Sequence, residues 1–196
     1  MTEQDPIIKY INKFVQLTEA ETEMCRAAFR FERLKKRQFI IQPNFVDRHK
    51  YFVIEGAIRA YVVDEKGVEH TVQLAIDEWW ISDYNSYLFQ QPASMFVVAM
   101  EDCQVLKISY EDENRLKAAQ PKFETFFRMM AERGVAFMQR KFISAIIGTA
   151  EERYAQFLEL YPQMINRFPQ YVIASYLNMT TEFFSKIRNQ KVRKKS

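Results

Sequence analysis

Apolar residues recur at helical spacing near the start of the chain and predict helix within residues 5–31. A second helix begins at Thr18-x-x-Glu21, a capping box in which each side chain can bond the other residue's backbone N–H. The apolar positions of the first helix are Ile7, Ile8, Ile11, Phe14 and Val15.

From about Leu34 to Ile108 the pattern changes to short segments rich in Val, Ile and aromatic residues, separated by turn signals. Asp64-Glu65-Lys66-Gly67 predicts a hairpin in which Gly67 takes a positive φ. Closely spaced short strands of this kind predict a small antiparallel barrel or roll. The predicted strands are Tyr51–Glu55, Ala57–Val63, His70–Ile76, Phe96–Met100 and Gln104–Ile108.

A long helix is predicted from Pro121, because the missing N–H of proline suits the first turn of a helix. Its apolar residues fall at alternating spacings of four and three, as in a coiled coil. Packing against the barrel of the same chain would bury this stripe, but its breadth and Gly134 favour self-association. The stripe contains Phe123, Phe127, Met130, Gly134 and Phe137, and Phe126, Met129 and Met138 widen it.

Thr149-x-x-Glu152 caps a further helix that runs through Leu160 and marks a boundary at 147–149. The pattern therefore predicts an α+β fold: an N-terminal antiparallel β-roll flanked by helices, then a long helix, then a C-terminal helical domain. The predicted domains are residues 1–120, 121–147 and 148–196.

Residues 169–190 carry the most specific pattern in the chain. Two short helices, about Gln170–Leu177 and Thr181–Gln190, are separated by three residues, so Ala174 must be small where they cross. Asn178 suits a left-handed turn position, and Thr180 can cap the second helix. Five residues, Ile173, Leu177, Met179, Phe184 and Ile187, converge on one apolar cluster. This combination predicts a helix-turn-helix.

The distribution of charge supports a polyanion contact at this end of the chain. The net charge of the 196 residues is only +3, but from Gln170 onward six basic residues stand against one acid, a balance of 6 − 1 = +5. A solvated tail would show the same excess. The basic residues are Lys186, Arg188, Lys191, Arg193, Lys194 and Lys195.

The sequence does not contain the motifs expected for a metal site, an enzyme or a membrane protein. Cys25 and Cys103 have no metal-ligand spacing, and His49 and His70 have no partner at ligand spacing, so no metal or cofactor is predicted. No phosphate-binding glycine loop or hydrolase motif is present, so an enzyme is not expected. The N-terminus does not resemble a secretory signal, and no apolar run is long enough to span a bilayer, so we expect a cytoplasmic protein without membrane contact.

Two segments resemble the CRP/FNR family of transcriptional regulators. FVIEGAIRAYVVDEKG at 52–67 resembles the family's strand–glycine–strand hairpin, with Gly56 and Gly67 at its glycines. IASYLNMTTEFFSKIR at 173–188 resembles its helix-turn-helix, in the variant of Bacteroidetes-type regulators. The resemblance covers nearly the whole chain. It implies a cyclic-nucleotide-binding-like antiparallel β-roll of the jelly-roll type, a long dimerisation helix, and a C-terminal winged helix-turn-helix domain that binds DNA. The sequence ends before a β wing could follow, so the wing is missing or replaced by upstream segments.

The resemblance implies base contacts by Thr181, Glu182 and Lys186, and phosphate or base-edge contacts by Thr180 and Ser185. Arg188 and the basic tail would hold the DNA backbone. Glu182 can alternatively serve only as a partner of the helix dipole, and the basic residues can be a solvated face. The family has Arg where this chain has Thr181 and Lys186, so its operator sequence is not carried over.

The family's cyclic-nucleotide cassette aligns with Ser82-Asp83-Tyr84 and Ala93-Ser94-Met95. Asp83 and Ser94 are the candidate effector-binding residues. Ala93 replaces the arginine that neutralises the cyclic phosphate, which argues against cyclic-nucleotide binding. The aromatic residues around the cassette predict either a pocket for a less charged effector or ordinary core. They are Trp79, Trp80, Tyr84, Tyr87 and Phe89.

The sequence thus predicts a homodimeric regulator that binds double-stranded DNA and does not respond to cAMP. The resemblance also implies RNA polymerase and a small-molecule effector of unknown identity as partners. The alternative function is a sensor module for a small ligand or protein partner, with a helix-turn-helix that no longer binds DNA.

Overall fold

The computed structural model describes the backbone of residues 2–193 and the side chains of residues 2–189. Within this range, the helices are α1 (Asp5–Ile11), α2 (Glu19–Ala28), α3 (Tyr84–Phe89), α4 (Tyr110–Ala119), α5 (Pro121–Ile147), α6 (Ala150–Leu160), α7 (Gln170–Tyr176) and α8 (Thr181–Arg193). The strands are β1 (Arg30–Leu34), β2 (Phe39–Ile41), β3 (His49–Glu55), β4 (Ile58–Val63), β5 (Glu69–Ala75), β6 (Trp80–Ile81), β7 (Phe96–Ala99) and β8 (Cys103–Ser109).

The strands form two four-stranded antiparallel sheets, in the orders β1-β8-β3-β6 and β2-β7-β4-β5. Val53 faces Val105 in the first sheet, and Ile58 faces Ala99 in the second. All four of these residues are fully buried between the sheets, because alternate side chains of each strand point inward. The fold is the predicted antiparallel roll flanked by helices.

Local signals placed several elements correctly. The capping boxes at Thr18 and Thr149 are both present, and the amides of Glu21 and Glu152 donate to the two threonine hydroxyls. Gly67 has the predicted positive φ, 78°, at the hairpin. Gly56 also has a positive φ, and an added Cβ there would lie 2.7 Å from the Cβ of Cys103. Gly56 therefore requires glycine, whereas the backbone conformation at Gly67 favours it.

Three strands were not predicted, and one helix is shorter than predicted. The helical pattern of residues 5–31 ends at Ala28, and Arg30 begins β1, whose partner Lys107 is distant in sequence. The short strands β2 and β6 likewise pair with remote segments. Pairings across such sequence separations leave little signal in the local pattern.

For the apolar stripe of α5, self-association was favoured over packing against the barrel of the same chain, and this is wrong for the first half of the helix. Phe123, Phe126 and Phe127 are buried in the chain's own core, with α1, α2 and the roll. Residues from Val135 onward are mostly exposed. The exposed large apolar residues of this second half are Val135, Met138, Phe142, Ile143, Ile146 and Ile147.

The helices after α5 pack on the outer side of the second sheet and share a core with it. Leu74 and Ile76 of the roll are buried in the same cluster as Val172 and Phe184. Polar contacts reinforce this junction: the Ser175 hydroxyl accepts from the Thr71 amide at 2.8 Å and donates to the Glu69 carbonyl at 3.0 Å. The last helices are therefore held against the roll by both apolar and polar contacts.

None of the helices within residues 2–193 combines the length and apolar character that a membrane crossing requires.

Candidate nucleic-acid interface and sensor cassette

Helices α7 and α8 are joined by a tight turn over residues 177–180. Asn178 has a left-handed φ of 53°, as the sequence predicts, and the Met179 amide donates to the Ala174 carbonyl at 3.0 Å. The Thr180 hydroxyl accepts from the Phe183 amide at 3.2 Å and so caps α8. The turn therefore fixes where α8 begins.

The two helices are held together by the predicted apolar cluster. Ala174 is buried at the crossing, and the Phe184 ring lies 5.2 Å from the ring of Tyr154 on α6. Because α6 closes the cluster, the pair α7–α8 rests on a third helix. Of the predicted members, Ile173, Leu177, Phe184 and Ile187 are buried and Met179 is partly buried.

The residues predicted to contact DNA lie near the start of α8. Thr180, Thr181, Glu182 and Lys186 are exposed, and Ser185 is half-buried. Positions three and four apart share one side of a helix, so these side chains form a continuous polar strip. The structure thus brings these five predicted residues together on an open surface.

Two of the predicted residues also have partners inside the protein. The backbone N–H of Glu182 and the Thr180 hydroxyl hold the pKa of the Glu182 carboxyl below its usual value, so it is ionised at the helix N-terminus. Arg188 is half-buried, and the Gln170 amide, with its oxygen turned toward it, accepts from its guanidinium at 3.0 Å. The side chains of Lys191 and Arg193 and all of Lys194 and Lys195 lie outside the described residues.

Arg153 on α6 was missed by the sequence analysis. Its guanidinium donates to the Leu177 carbonyl at 2.7 Å, the Asn178 carbonyl at 3.2 Å and the Gly148 carbonyl at 2.6 Å. One side chain therefore ties the turn before α8 to the end of α5. Its contacts with residues 24 and 25 positions away leave no local pattern, so only the structure could reveal this role.

In the cassette region, Asp83 and Ser94 are brought together as a closed unit. The Asp83 carboxylate is 1% exposed and accepts from the Ser94 amide at 2.7 Å and the Ser94 hydroxyl at 3.0 Å. It also accepts from the amides of Met95 at 3.2 Å and Ser86 at 3.0 Å. The carboxylate therefore occupies the N–H donors that an anionic ligand would need in this loop.

The remaining cassette residues do not form one pocket. The position of the family's arginine is occupied by Ala93, a buried residue without charge. Tyr87 lies in the core, whereas Tyr84 and Phe89 are exposed on α3. Trp79 and Trp80 point elsewhere, toward α5. The aromatic residues predicted around the cassette thus lie in three separate places: the core, the exposed surface of α3, and the contact between the roll and α5.

Comparison with known proteins identifies the roll. Residues 31–119 match the model of the cyclic nucleotide-binding domain family. No curated protein sequence matches the chain.

Several solved structures of regulators share this fold, at low sequence identity. FixK2 from Bradyrhizobium japonicum has a TM-score of 0.72 at 18% identity, with 85% of each chain covered. The c-di-GMP responsive global regulator CLP of Xanthomonas campestris has a TM-score of 0.72 at 12% identity, covering 90% of this chain and 93% of that one. A protein of Eubacterium rectale assigned to the crp/fnr family has a TM-score of 0.67 at 16% identity, covering 90% and 85%.

Between residues 150 and 193 the described backbone contains helices and a 3-10 turn but no strand, so no β wing adjoins α8 there. Residues 31–119 match the cyclic nucleotide-binding domain family, and the chain shares its fold with solved CRP/FNR-family transcriptional regulators.

Proposed function

We propose that this protein is a dimeric, sequence-specific DNA-binding transcriptional regulator whose sensor domain does not respond to cAMP. The observation that carries the proposal is the polar strip on α8. Its members Thr181, Glu182 and Lys186 are exposed on a helix whose other face is buried against α6 and α7. A helix presented in this way can enter a major groove, where Lys can donate to guanine and Glu can accept from cytosine.

The second half of α5 supports the dimer. Val135, Met138 and Phe142 lie three and four residues apart, the spacing of a coiled-coil seam, and all are exposed in the single chain. A Cβ added at Gly134 would meet no atom within 4 Å, so the helix backbone is open to close approach there. A second α5 would cover this face, and symmetric pairing is the commonest form of oligomer.

The closed cassette supports the absence of a cAMP response. A cyclic phosphate would have to displace the Asp83 carboxylate from its amide donors or lie beside a second negative charge. At the position of the family's arginine, Ala93 provides no cation. Both effects oppose binding, because a desolvated phosphate needs compensating charge and hydrogen bonds.

DNA binding is tested by fluorescence anisotropy at several salt concentrations. The probes are a labelled duplex from upstream of the protein's own coding sequence and a shuffled duplex of the same composition. We expect tighter binding to the upstream duplex, and log K falling linearly with log salt, by roughly 0.9 per phosphate contact. Absence of binding even at low salt would contradict the proposal and favour the alternative, a sensor module whose α7–α8 pair does not bind DNA.

The role of α8 is tested by Lys186→Ala. We expect the preference for the upstream duplex to fall about tenfold, since one base contact contributes about 1–3 kcal/mol. Lys66→Ala, an exposed lysine at the β4–β5 hairpin, is the matched control and should leave both affinities unchanged. An equal loss on the two duplexes would assign Lys186 to the DNA backbone and not to base recognition.

The sensor proposal is tested by calorimetry with cAMP and cGMP. We expect no heat of binding at micromolar nucleotide. A micromolar Kd for either nucleotide would show that the cassette opens and that the nucleotide replaces the Asp83 carboxylate at its amide donors.

A further inference from the structure

Besides the polar strip of α8, the roll carries a concentrated cluster of cations. Residues 30–37 read RFERLKKR and hold five basic residues against one acid, a balance of 5 − 1 = +4, which exceeds the net charge of +3 of the whole chain. The acid, Glu32, pairs with Lys107 of β8 at 2.7 Å, so its charge is already offset from outside the segment. The segment is therefore a site of strong positive potential.

Three of these cations, Lys35, Lys36 and Arg37, form the turn between β1 and β2, here called the basic turn. All three are exposed, the side chain of Lys35 to 83%. Lys35 pairs with Asp102 at 3.1 Å, whereas within residues 2–189 the side chains of Lys36 and Arg37 form no ion pair. Asp102 also accepts from the Lys36 amide at 2.9 Å, so a single acid faces three cations.

The backbone of the basic turn holds an arginine where glycine would fit more easily. Arg37 has a left-handed φ of 70°, which is uncommon for a residue with a side chain. Its amide donates to the Ala99 carbonyl at 2.7 Å, so the conformation is fixed by backbone contacts. Because glycine would adopt this φ without strain, the turn itself does not require the exposed guanidinium.

Protection of a sheet edge accounts for only part of the cluster. β1 is the outer strand of its sheet, and charges on such a strand prevent pairing with other chains. Arg30 and Arg33 lie within β1 and have local contacts: Arg30 donates to the Ala27 carbonyl, and the Arg33 guanidinium lies 5.5 Å from the Phe31 ring. The basic turn lies beyond the end of the strand, so edge protection does not explain it.

The basic turn lies at the end of the roll that carries helices α6 to α8. Through Asp102 and Ala99 it is bonded to the connection between β7 and β8. In the same connection, Glu101 accepts from the Arg167 guanidinium at 3.1 Å, shortly before α7 begins, and Met100 packs against the core of α6 to α8. β2 lies three strand positions from β5, on which α7 packs, so about 14 Å separate them at a strand spacing of about 4.8 Å.

We propose that the basic turn binds the phosphate backbone of the DNA that flanks the segment contacted by α8. The inference rests on the proposed function, since it requires α8 to bind DNA. From Lys35 to Gln38 the turn contains no apolar residue, so its ligand is recognised by charge, and Lys and Arg donate readily to phosphate oxygens. Flanking DNA reaches the roll by bending, and contacts at the turn offset the elastic cost of the bend.

The test compares two duplexes that share one centre, the upstream site that a footprint of the wild type defines. One has about 20 base pairs, enough for two half-sites one helical turn apart, and the other has about 40. Fluorescence anisotropy measures both affinities over a range of salt concentrations. We expect the longer duplex to bind at least about tenfold more tightly at low salt, and its log K to fall more steeply with log salt, by about 0.9 for each added phosphate contact.

The neutral-turn variant is Lys35→Gln/Lys36→Gln/Arg37→Asn. Its affinity for the longer duplex should fall about tenfold or more, to that for the shorter duplex, which should stay unchanged. Asn tolerates the left-handed conformation at position 37, so the turn should still form, and thermal unfolding checks this. Lys35→Arg/Lys36→Arg/Arg37→Lys keeps all three charges and should retain the preference for the longer duplex.

The charge-matched control is Lys9→Gln/Lys66→Gln/Arg115→Gln, which removes three cations from exposed positions elsewhere and should bind like the wild type. Equal affinity of the neutral-turn variant and this control for the longer duplex would overturn the inference. An equal loss on both duplexes would also overturn it, because the turn would then act only through overall charge. Either result leaves the proposed function standing, whereas a wild type that binds neither duplex would contradict both.

Discussion

The two halves of α5 carry similar apolar patterns but meet different surroundings. In the first half Phe127 is 3% exposed, covered by the roll and the N-terminal helices. In the second half Phe142 is 67% exposed, and the apolar residues around it extend to Ile147. The helix is continuous from Pro121 to Ile147, so the difference does not arise from secondary structure.

The comparison shows that periodicity identifies an apolar face without identifying what covers it. The spacing of Phe123 and Phe127 is compatible with a coiled-coil seam, yet their partners are in the same chain. The second half keeps two contacts of its own with the rest of the protein: Phe137 packs on Trp79, and Lys141 reaches the carbonyls of Thr71 and Val72. No other described residue of the same chain covers the remaining apolar surface of this second half.

The largest expected effect is in the first half. Phe126→Ala removes a fully buried ring that lies 5.2 Å from the ring of Phe127, and should lower the free energy of unfolding by about 3–5 kcal/mol. Urea unfolding measures this change. Phe89→Ala, at a position 67% exposed, is the control and should change it by less than about 1 kcal/mol. Similar losses in both variants would mean that α5 does not pack as described.

In the second half the expected effect is on association. Phe142→Glu should convert the proposed dimer to a monomer in sedimentation analysis, because two carboxylates would be buried in the symmetric contact. Phe89→Glu, with the same 67% exposure but on α3, is the matched control and should remain a dimer. A dimer that persists in Phe142→Glu would place the subunit contact elsewhere.

A smaller effect is expected where α5 ends. Arg153→Ala removes donors from the carbonyls of Gly148, Leu177 and Asn178 and should cost about 2 kcal/mol of unfolding free energy. DNA affinity should fall as well, since the turn before α8 loses its anchor. Arg128→Ala should alter neither quantity. Normal stability with weakened DNA binding would instead place Arg153 at the DNA.

The smallest effect concerns the pH dependence of the second half. Burial lowers the pKa of Lys141 to about 8, below its value in the unfolded chain. Between about pH 8 and pH 10 the unfolded state therefore binds more protons, and stability should rise with pH as the cost of the buried charge disappears.

Relative to Lys141→Met, the wild type should gain about 1–2 kcal/mol between pH 7 and pH 10 in urea unfolding. Because both proteins contain the same tyrosines, the contribution of tyrosine titration to the unfolding free energy cancels in this comparison. A flat difference would mean that Lys141 is solvated in the folded state.

Much of the fold could be predicted where the information is local. The capping boxes at Thr18 and Thr149, the hairpin at Gly67 and the left-handed Asn178 each depend on residues within four positions, and all are present. The strands β1, β2 and β6 could not be predicted, because remote partners stabilise them.

For the candidate sites the prediction was uneven. The polar strip from Thr180 to Lys186 follows from helical spacing alone, although its contact with DNA stays a prediction. Asp83 and Ser94, the two candidate effector-binding residues, are hydrogen-bonded to each other, and their contact with an effector stays a prediction. The domain limits at 120 and 147 and the Bacteroidetes-type resemblance also stay predictions.

The sequence by itself determined the elements that adjacent residues decide: helix starts, turn conformations, and the faces of α7 and α8. Only the tertiary structure decided which apolar face has a partner, and that the Asp83 carboxylate fills its own cassette. The physical reason is that caps and turns are stabilised over a few residues, whereas burial and charge pairing depend on segments brought together from across the chain.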